Sequence, residues 1–406
     1  MSKARATAAL SVATLTSLVT SIAGLALTSS PATADGPGVG TPWVVSVGDS
    51  YISGEAGRWA GNTNNGESIH DAGGPTTYFD NAANNAETIE RCHRSKAAEI
   101  YVGGGVSGLN LACSGARTAT TTGEYFKPGL DFYDSGNGQL GQAKLLQQFA
   151  STHNVKMVVV SIGGNDFDFA AIVQQCVQDF LLSSSWWPDY CKDDTIVTNA
   201  MSPSNVAAKK TAIANALLNV RLAMRNAGYA DSAWTMLVQN YPSPIPNGAG
   251  FRYSQSGYTR QSTGGCGFWN ADADYANATL LPTINGAVFG AIGEAGITNA
   301  RTLNLASTFV GRRLCESTVG LYEEKGLARW TSKGAVDKTE WINTIRTVTA
   351  TGNYYMQESL HPNYWGQLAT RACVRLAYNS GVPRSGTCVR SQSGLSSLGE
   401  PKMALN

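Results

Sequence analysis

The sequence predicts an α/β protein, a parallel sheet covered by helices on both faces, and three observations carry that prediction. The runs Val44-Val45-Ser46-Val47 and Lys156-Met157-Val158-Val159-Val160-Ser161-Ile162 are β-branched and apolar without alternation, as suits strands buried on both faces. Strand-like and helix-like stretches alternate with connections of the right length for strand–helix–strand crossovers. Strand-like runs also end repeatedly in small-residue turns: Gly48-Asp49-Ser50, Ser114-Gly115-Ala116 and Gly163-Gly164-Asn165-Asp166.

Before the first strand, Lys3 and Arg5 precede a charge-free stretch over residues 6–27, and Ala32-Thr33-Ala34 has the small-residue pattern of a signal-peptidase site. Residues 1–34 are therefore expected to be a secretory signal. A membrane anchor is the alternative, but Ser and Thr dilute the stretch. Without residues 1–34 the formal charge moves from +1 to −1, which calls for neither nucleic acid nor an anionic surface as partner. No later run is apolar enough to span a membrane, so the exported chain is expected to be soluble and is read as a monomer.

The eight cysteines, at 92, 113, 176, 191, 266, 315, 373 and 388, contain no Cys-x-x-Cys. In an exported chain an even count reads as disulfides rather than zinc ligands, and neither metal nor organic cofactor is expected. Eight cysteines allow 105 pairings. The simplest is sequential: Cys92 with Cys113, Cys176 with Cys191, Cys266 with Cys315, and Cys373 with Cys388.

Residues 54–91 are rich in Gly, Asn and Thr and read as a long ordered loop beside the first strand end. A second strand end follows at Asn110-Leu111-Ala112-Cys113. Residues 138–153 form an amphipathic helix through Leu140, Leu145, Leu146 and Phe149. A longer helix is predicted over 205–226, with Gly228 to stop it in the left-handed conformation. Strands are predicted at 234–239 and 301–305, with a helix between them over 272–293. Residues 311–355 read as an irregular excursion near the site, and 363–377 as a final helix whose stripe includes Trp365, Leu368, Ala372 and Leu376. One domain is expected over 35–390, with a frayed Ser-rich tail over 391–406.

A serine hydroxyl needs a base, and histidine titrates near the working pH. Ser50, standing at a strand's carboxyl end, is the candidate nucleophile. Of the four histidines, His70, His93 and His153 lie in loop-rich or helix-end positions, where hydrogen bonding or surface roles are the default. His361 differs, because it sits in a turn before a helix with Pro362 behind it and Glu358 three residues ahead. That spacing lets the Glu358 carboxylate orient the imidazole, with helix-entry capping as the structural alternative. The Ser50 and Gly115 N–H groups and the Asn165 amide are the candidate donors to a developing oxyanion.

Taken in order, the Gly-Asp-Ser, Cys-Ser-Gly-Ala, Gly-Gly-Asn-Asp and His-Pro blocks resemble those of the SGNH (GDSL-type) hydrolases. The resemblance is strongest to the secreted actinobacterial esterases and lipases, and it covers roughly residues 43–376. It implies a three-layer α/β/α sandwich with a central parallel sheet of about five strands. It further implies Ser50 as nucleophile, His361 as base, and Gly115 and Asn165 as oxyanion donors. Glu358 stands where the family usually has aspartate, and some members use a backbone carbonyl there instead. The Gly-x-Ser-x-Gly elbow of the α/β-hydrolases is missing around Ser50.

The implied activity is carboxylic ester hydrolysis through an acyl-enzyme, with lipid esters of the lipase or phospholipase A/B type as substrate. A xylan O-acetyl esterase or an arylesterase is the alternative, the former drawing on hydrogen bonds from the loop at 61–85, and a non-catalytic wall- or lipid-binding module is more remote. Arg58 and Trp59, just past the nucleophile, and Trp330, Trp341, Tyr354 and Tyr355, ahead of the histidine, are the candidates to meet the lipid.

Overall fold

The computed structural model describes residues 36–346 and 356–406. The expected signal segment, Tyr354 and Tyr355 lie outside the described residues. Asp35–Asn406 forms one compact unit.

Its centre is a seven-stranded sheet. We number the strands β1 (Pro42–Gly48), β2 (Ser107–Asn110), β3 (Asn154–Ser161), β4 (Thr235–Gln239), β5 (Ala300–Asn304), β6 (Gly386–Leu395) and β7 (Pro401–Leu405). In space they run β2-β1-β3-β4-β5-β6-β7. The first six are parallel, and only β7 is antiparallel, returning along β6. The five-stranded expectation thus describes the sheet's inner part and omits its β6–β7 edge.

Alternation within the strands builds the layers. Val45, Val47, Val158 and Val160 face one core, shared with Leu146, Ile213, Leu217 and Val288 of the helices Gln142–Ala150, Pro203–Asn226 and Leu281–Glu294. Val44, Met157, Val159 and Leu237 face the other, shared with Val374 and Ala377 of the helix Tyr364–Tyr378. Because both faces are covered, the strands lack polar alternation.

All four disulfides pair sequentially. Cys373–Cys388 ties the last helix to β6, and Cys176–Cys191 closes the loop after the helix Phe169–Leu182. The predicted helix over 272–293 is broken into Asn270–Tyr275, a π turn Ala276–Leu280 and Leu281–Glu294. Pro282, which has no N–H to give to the ladder, stands at that break.

The tail is not frayed. Leu405 is buried, and the buried Glu400 takes a hydrogen bond of 2.6 Å from Arg375 Nη2 on the last helix. A Ser-rich strand needs little apolar content when its backbone is paired across a hairpin and its end is held by an ion pair.

Candidate active site

The strand order reverses at β1, whose neighbours β2 and β3 continue the chain in opposite directions, and such switch points open crevices at the strands' carboxyl ends. There β1 runs into Gly48-Asp49-Ser50. Gly48 has φ +137°, and a Cβ on it would lie 1.9 Å from the Ser161 carbonyl oxygen, so no other residue fits where the ends of β1 and β3 converge. Asp49 N–H donates to that carbonyl at 2.9 Å. The Asp49 carboxylate caps the helical turn Ser50–Ser53 by accepting from Tyr51 N–H at 3.2 Å, and its other oxygen accepts from the Tyr241 hydroxyl. Tyr241 in turn accepts from Gly164 N–H at 2.9 Å, so one chain of hydrogen bonds runs from the first block to the third. Burial pushes Asp49 up to about 7 despite these donors.

Ser50 meets His361 across the whole chain: Nε2 lies 2.7 Å from the serine Oγ. Nδ1 lies 2.9 Å from the Ser359 carbonyl, which can only accept. The proton of neutral imidazole therefore sits on Nδ1, leaving Nε2 to take the serine's hydrogen bond. Burial holds the His361 pKa below its ordinary value, with the nearby Glu55 charge working in the other direction. Leu360, one residue earlier, has φ +61°, a costly conformation for leucine. Its carbonyl accepts from the Tyr51 hydroxyl at 3.0 Å and its N–H donates to Asn343 at 3.2 Å, bonds that hold the turn presenting the imidazole.

The Glu358 carboxylate makes no contact with the imidazole; the residue meets His361 only through its backbone carbonyl, which accepts from the His361 N–H at 3.4 Å. Its carboxylate accepts from Trp59 Nε1 at 2.8 Å and from the Tyr78 hydroxyl, and burial pushes it up to about 7. The Glu358 side chain of the 3₁₀ turn Met356–Glu358 is bonded to Trp59 and Tyr78 while the next carbonyl along the chain faces the imidazole, so the Ser359 backbone holds the position predicted for the carboxylate.

Gly115, at φ +81°, and Asn165 both line the crevice with Ser50 and His361. Asn165 Nδ2 donates to the Ala116 carbonyl at 2.9 Å, which fixes the amide beside the Gly115 turn. Asp166 secures the same junction by accepting from Thr118 Oγ1 at 2.6 Å.

Behind the serine, sequence reasoning missed a buried ion pair. Glu55 Oε1 lies 2.6 Å from His93 Nδ1, both side chains are inaccessible, and Tyr78 stacks on the imidazole with ring centroids 4.3 Å apart. Burial would push Glu55 up, but His93 outweighs it and holds the carboxylate at about 2. The other oxygen, Glu55 Oε2, accepts from Gln357 Nε2 at 2.9 Å, joining this pair to the segment that leads into His361.

On the opposite side the crevice widens into a cavity of about 650 Å³. One face of the helix Phe169–Leu182 forms a wall through Phe169, Val173, Val177 and Leu181, spaced four apart, with Leu281 and Ile284 from the helix Leu281–Glu294 completing it. None of Arg58, Trp59, Trp330 or Trp341 lines this cavity. Arg58 is buried against Asp71 at 2.6 Å, and Trp59 is the donor to Glu358. Trp341 is buried with Nε1 on the Val336 carbonyl at 2.8 Å, and Trp330 packs on Tyr364 and Trp365. Trp59 and Trp341 are core and Trp330 packs against it half-buried, which is where most aromatics of their size go. The legible signal for the true wall was the apolar 3.6-residue period after Asn165.

No protein-family profile and no curated protein matches the chain in sequence. Among solved structures it is similar to an extracellular lipase from Streptomyces rimosus, with 19% identity, 84% of this chain and 100% of that one covered, and a TM-score of 0.42. A phospholipase A1 from Streptomyces albidoflavus NA297 matches with 18% identity over 84% of this chain and 100% of that one, at a TM-score of 0.40. Est24, a carbohydrate acetylesterase from Sinorhizobium meliloti, matches with 10% identity over 64% of this chain and 83% of that one, at 0.26.

Proposed function

We propose that the protein is a serine-dependent carboxylic ester hydrolase. More narrowly, we read it as an exported SGNH-type enzyme that acts on lipid esters, as a lipase or a phospholipase of the A/B type. The observation that supports the reaction most directly is the 2.7 Å contact from Ser50 Oγ to His361 Nε2 at the head of an apolar cavity. The four disulfides fit an exported chain.

The chemistry follows from the proton positions. His361 Nε2 takes the Ser50 proton as Oγ attacks the ester carbonyl, and the imidazolium is stabilised by the Ser359 carbonyl through Nδ1–H. The oxyanion is met by the Ser50 and Gly115 N–H groups and the Asn165 amide. Collapse of the tetrahedral adduct expels the alcohol, which receives the proton from Nε2. Water then gives up a proton to the same nitrogen as it attacks the acyl-serine, and collapse of the second tetrahedral adduct releases the acid while Nε2 returns that proton to Ser50 Oγ.

The lipid reading rests on the cavity's volume and its aliphatic walls, which suit a hydrocarbon chain better than a sugar. Loop 61–85, the source of hydroxyl contacts for a xylan O-acetyl esterase, contributes nothing to the cavity's lining. Release of long fatty acid from phosphatidylcholine and of acetate from acetylated xylan should be compared for the wild type and Ser50→Ala. Fatty-acid release abolished by Ser50→Ala is expected. Acetate release alone overturns the lipid assignment, and undiminished turnover in Ser50→Ala, or no Ser50 adduct with a fluorophosphonate, overturns the enzyme.

A further inference from the structure

The cavity is rimmed by apolar side chains that face water. Leu182, the last residue of the helix Phe169–Leu182, lines the cavity and is 78% exposed, and Met356, on the far side of the crevice, lines it and is 50% exposed. Beyond Leu182 the chain places Trp186 and Trp187 in solvent, at 88% and 85% exposure. Two adjacent tryptophans left that bare give up the burial that large aromatic side chains normally reach, and exposed apolar patches mark interaction surfaces.

These residues are held in place. Trp187 N–H donates to the Ser184 carbonyl at 3.0 Å, Asp189 N–H donates to Ser183 Oγ at 3.0 Å, and Cys176–Cys191 joins the helix to the far end of the loop. A tip fixed at both ends pays little ordering entropy on binding.

Resting on the ester-hydrolase reading above, we propose that the 182–187 loop docks the enzyme on a lipid–water interface of uncharged or zwitterionic lipid, with Trp186 and Trp187 entering the headgroup layer. Two features select that partner. The patch is continuous with the mouth of a hydrocarbon-lined cavity, so seating it on lipid turns the opening toward the acyl chains. Residues 179–194 carry four acids and one lysine, and that lysine, Lys192, is paired with Asp193 at 2.7 Å, so the loop itself offers no attraction to anionic headgroups. Tryptophan, apolar in body with one N–H donor, is the side chain that favours the headgroup level.

The test uses the full exported chain with Trp186→Ala/Trp187→Ala and the milder Trp186→Phe/Trp187→Phe, each checked for wild-type thermal unfolding. Binding to phosphatidylcholine vesicles is measured by sedimentation in a Ser50→Ala background, so that hydrolysis does not alter the surface. Turnover of a monomeric short-chain ester is measured with Ser50 intact. The alanine pair should weaken vesicle binding by roughly tenfold or more while the soluble ester is turned over as before, and the phenylalanine pair should fall between. In the wild type, brominated phosphatidylcholine should quench fluorescence that the phenylalanine pair lacks.

Unchanged vesicle binding by the alanine pair overturns the proposal. So does a folded variant that loses soluble-ester turnover equally, because the tryptophans would then act in the cleft. Binding that requires anionic lipid and disappears in salt overturns the stated chemistry. A vesicle-free, concentration-dependent dimer lost in the alanine pair assigns the patch to a second copy instead. Vesicle binding by a chain that releases no fatty acid would sink the lipid-ester reading alone, and ester turnover without vesicle binding would sink the docking alone.

Discussion

The two sides of Ser50 are built on opposite principles. Behind it lie Glu55, His93, Glu358, Tyr78 and Trp59, all buried, in one network of ionic and polar contacts. In front, the Phe169–Leu182 helix offers aliphatic side chains and an open volume. The rear wall draws on residues from both ends of the chain, while the front wall comes chiefly from the helices after β3 and β4. Removing Glu55 or His93 strands a buried charge, whereas changing the front wall alters only volume and apolar area. On the reading proposed above, the first serves stability and the second substrate preference.

The largest effect is expected where a buried charge loses its partner. Glu55→Gln leaves His93, whose pKa burial lowers but Glu55 raises above its ordinary value, without its carboxylate. We expect a loss of about 3–5 kcal/mol in urea unfolding near pH 6. Because the folded carboxylate titrates at about 2 and the unfolded one near 4.3, its stabilisation is present above that unfolded value and fades as pH falls toward 2. A difference between variant and wild type that stays constant down to pH 2.5 would break the assignment. Next comes Asn165→Ala, where the two sides of Ser50 meet. It should lower kcat by about 10²–10³-fold with KM little changed, and a loss below about fivefold would remove the amide from the oxyanion site.

How much of this was legible depends on what each part asks of its residues. The sheet's inner strands announce themselves, since burial on both faces leaves Val44–Val47 and Met157–Val160 no room for alternation. That Ser50, Gly115, Asn165 and His361 line one crevice was legible because their turns need particular small or polar residues whatever surrounds them. The rear wall was not. Glu55 and His93 lie 38 positions apart in an aperiodic loop, and only three-dimensional closure makes them a pair. Trp330 and Trp341 misled for the converse reason, as a large ring in a sequence looks the same whether it lines a cleft or fills a core. The β6–β7 hairpin was hidden by its serines, because its stability comes from backbone pairing and the Arg375–Glu400 contact.

The front wall admits a smaller, cleaner change. Val173, half-buried on the helix face toward the cavity, can be enlarged with Val173→Trp. The ratio of long-chain to acetyl ester kcat/KM should fall by about 10–100-fold, since lost apolar contact in a pocket is worth roughly 1–3 kcal/mol. Equal losses on both esters would mean that the substituent had disturbed the serine and not the acyl site.

The smallest effect on rate is expected at Glu358, and it separates the two walls most sharply. Were this carboxylate the partner of His361, Glu358→Gln would cost about 10⁴-fold, the scale of an aspartate-to-asparagine change in a catalytic triad. With the Ser359 carbonyl on Nδ1 instead, kcat should stay within about threefold of wild type. The stability should respond in a different way. Burial raises the folded Glu358 to about 7, so it favours the folded state fully below the unfolded value near 4.3, and that contribution is lost as pH rises through 7. Glutamine cannot ionise and can still accept from Trp59 while its amide turns to the Tyr78 oxygen. The wild type should therefore lose stability between about pH 4.5 and 7.5 relative to Glu358→Gln, by roughly 3 kcal/mol over the interval. A variant that follows the wild type's pH dependence while losing activity 10⁴-fold would return Glu358 to the imidazole and put the proton relay, rather than the fold, on the rear wall.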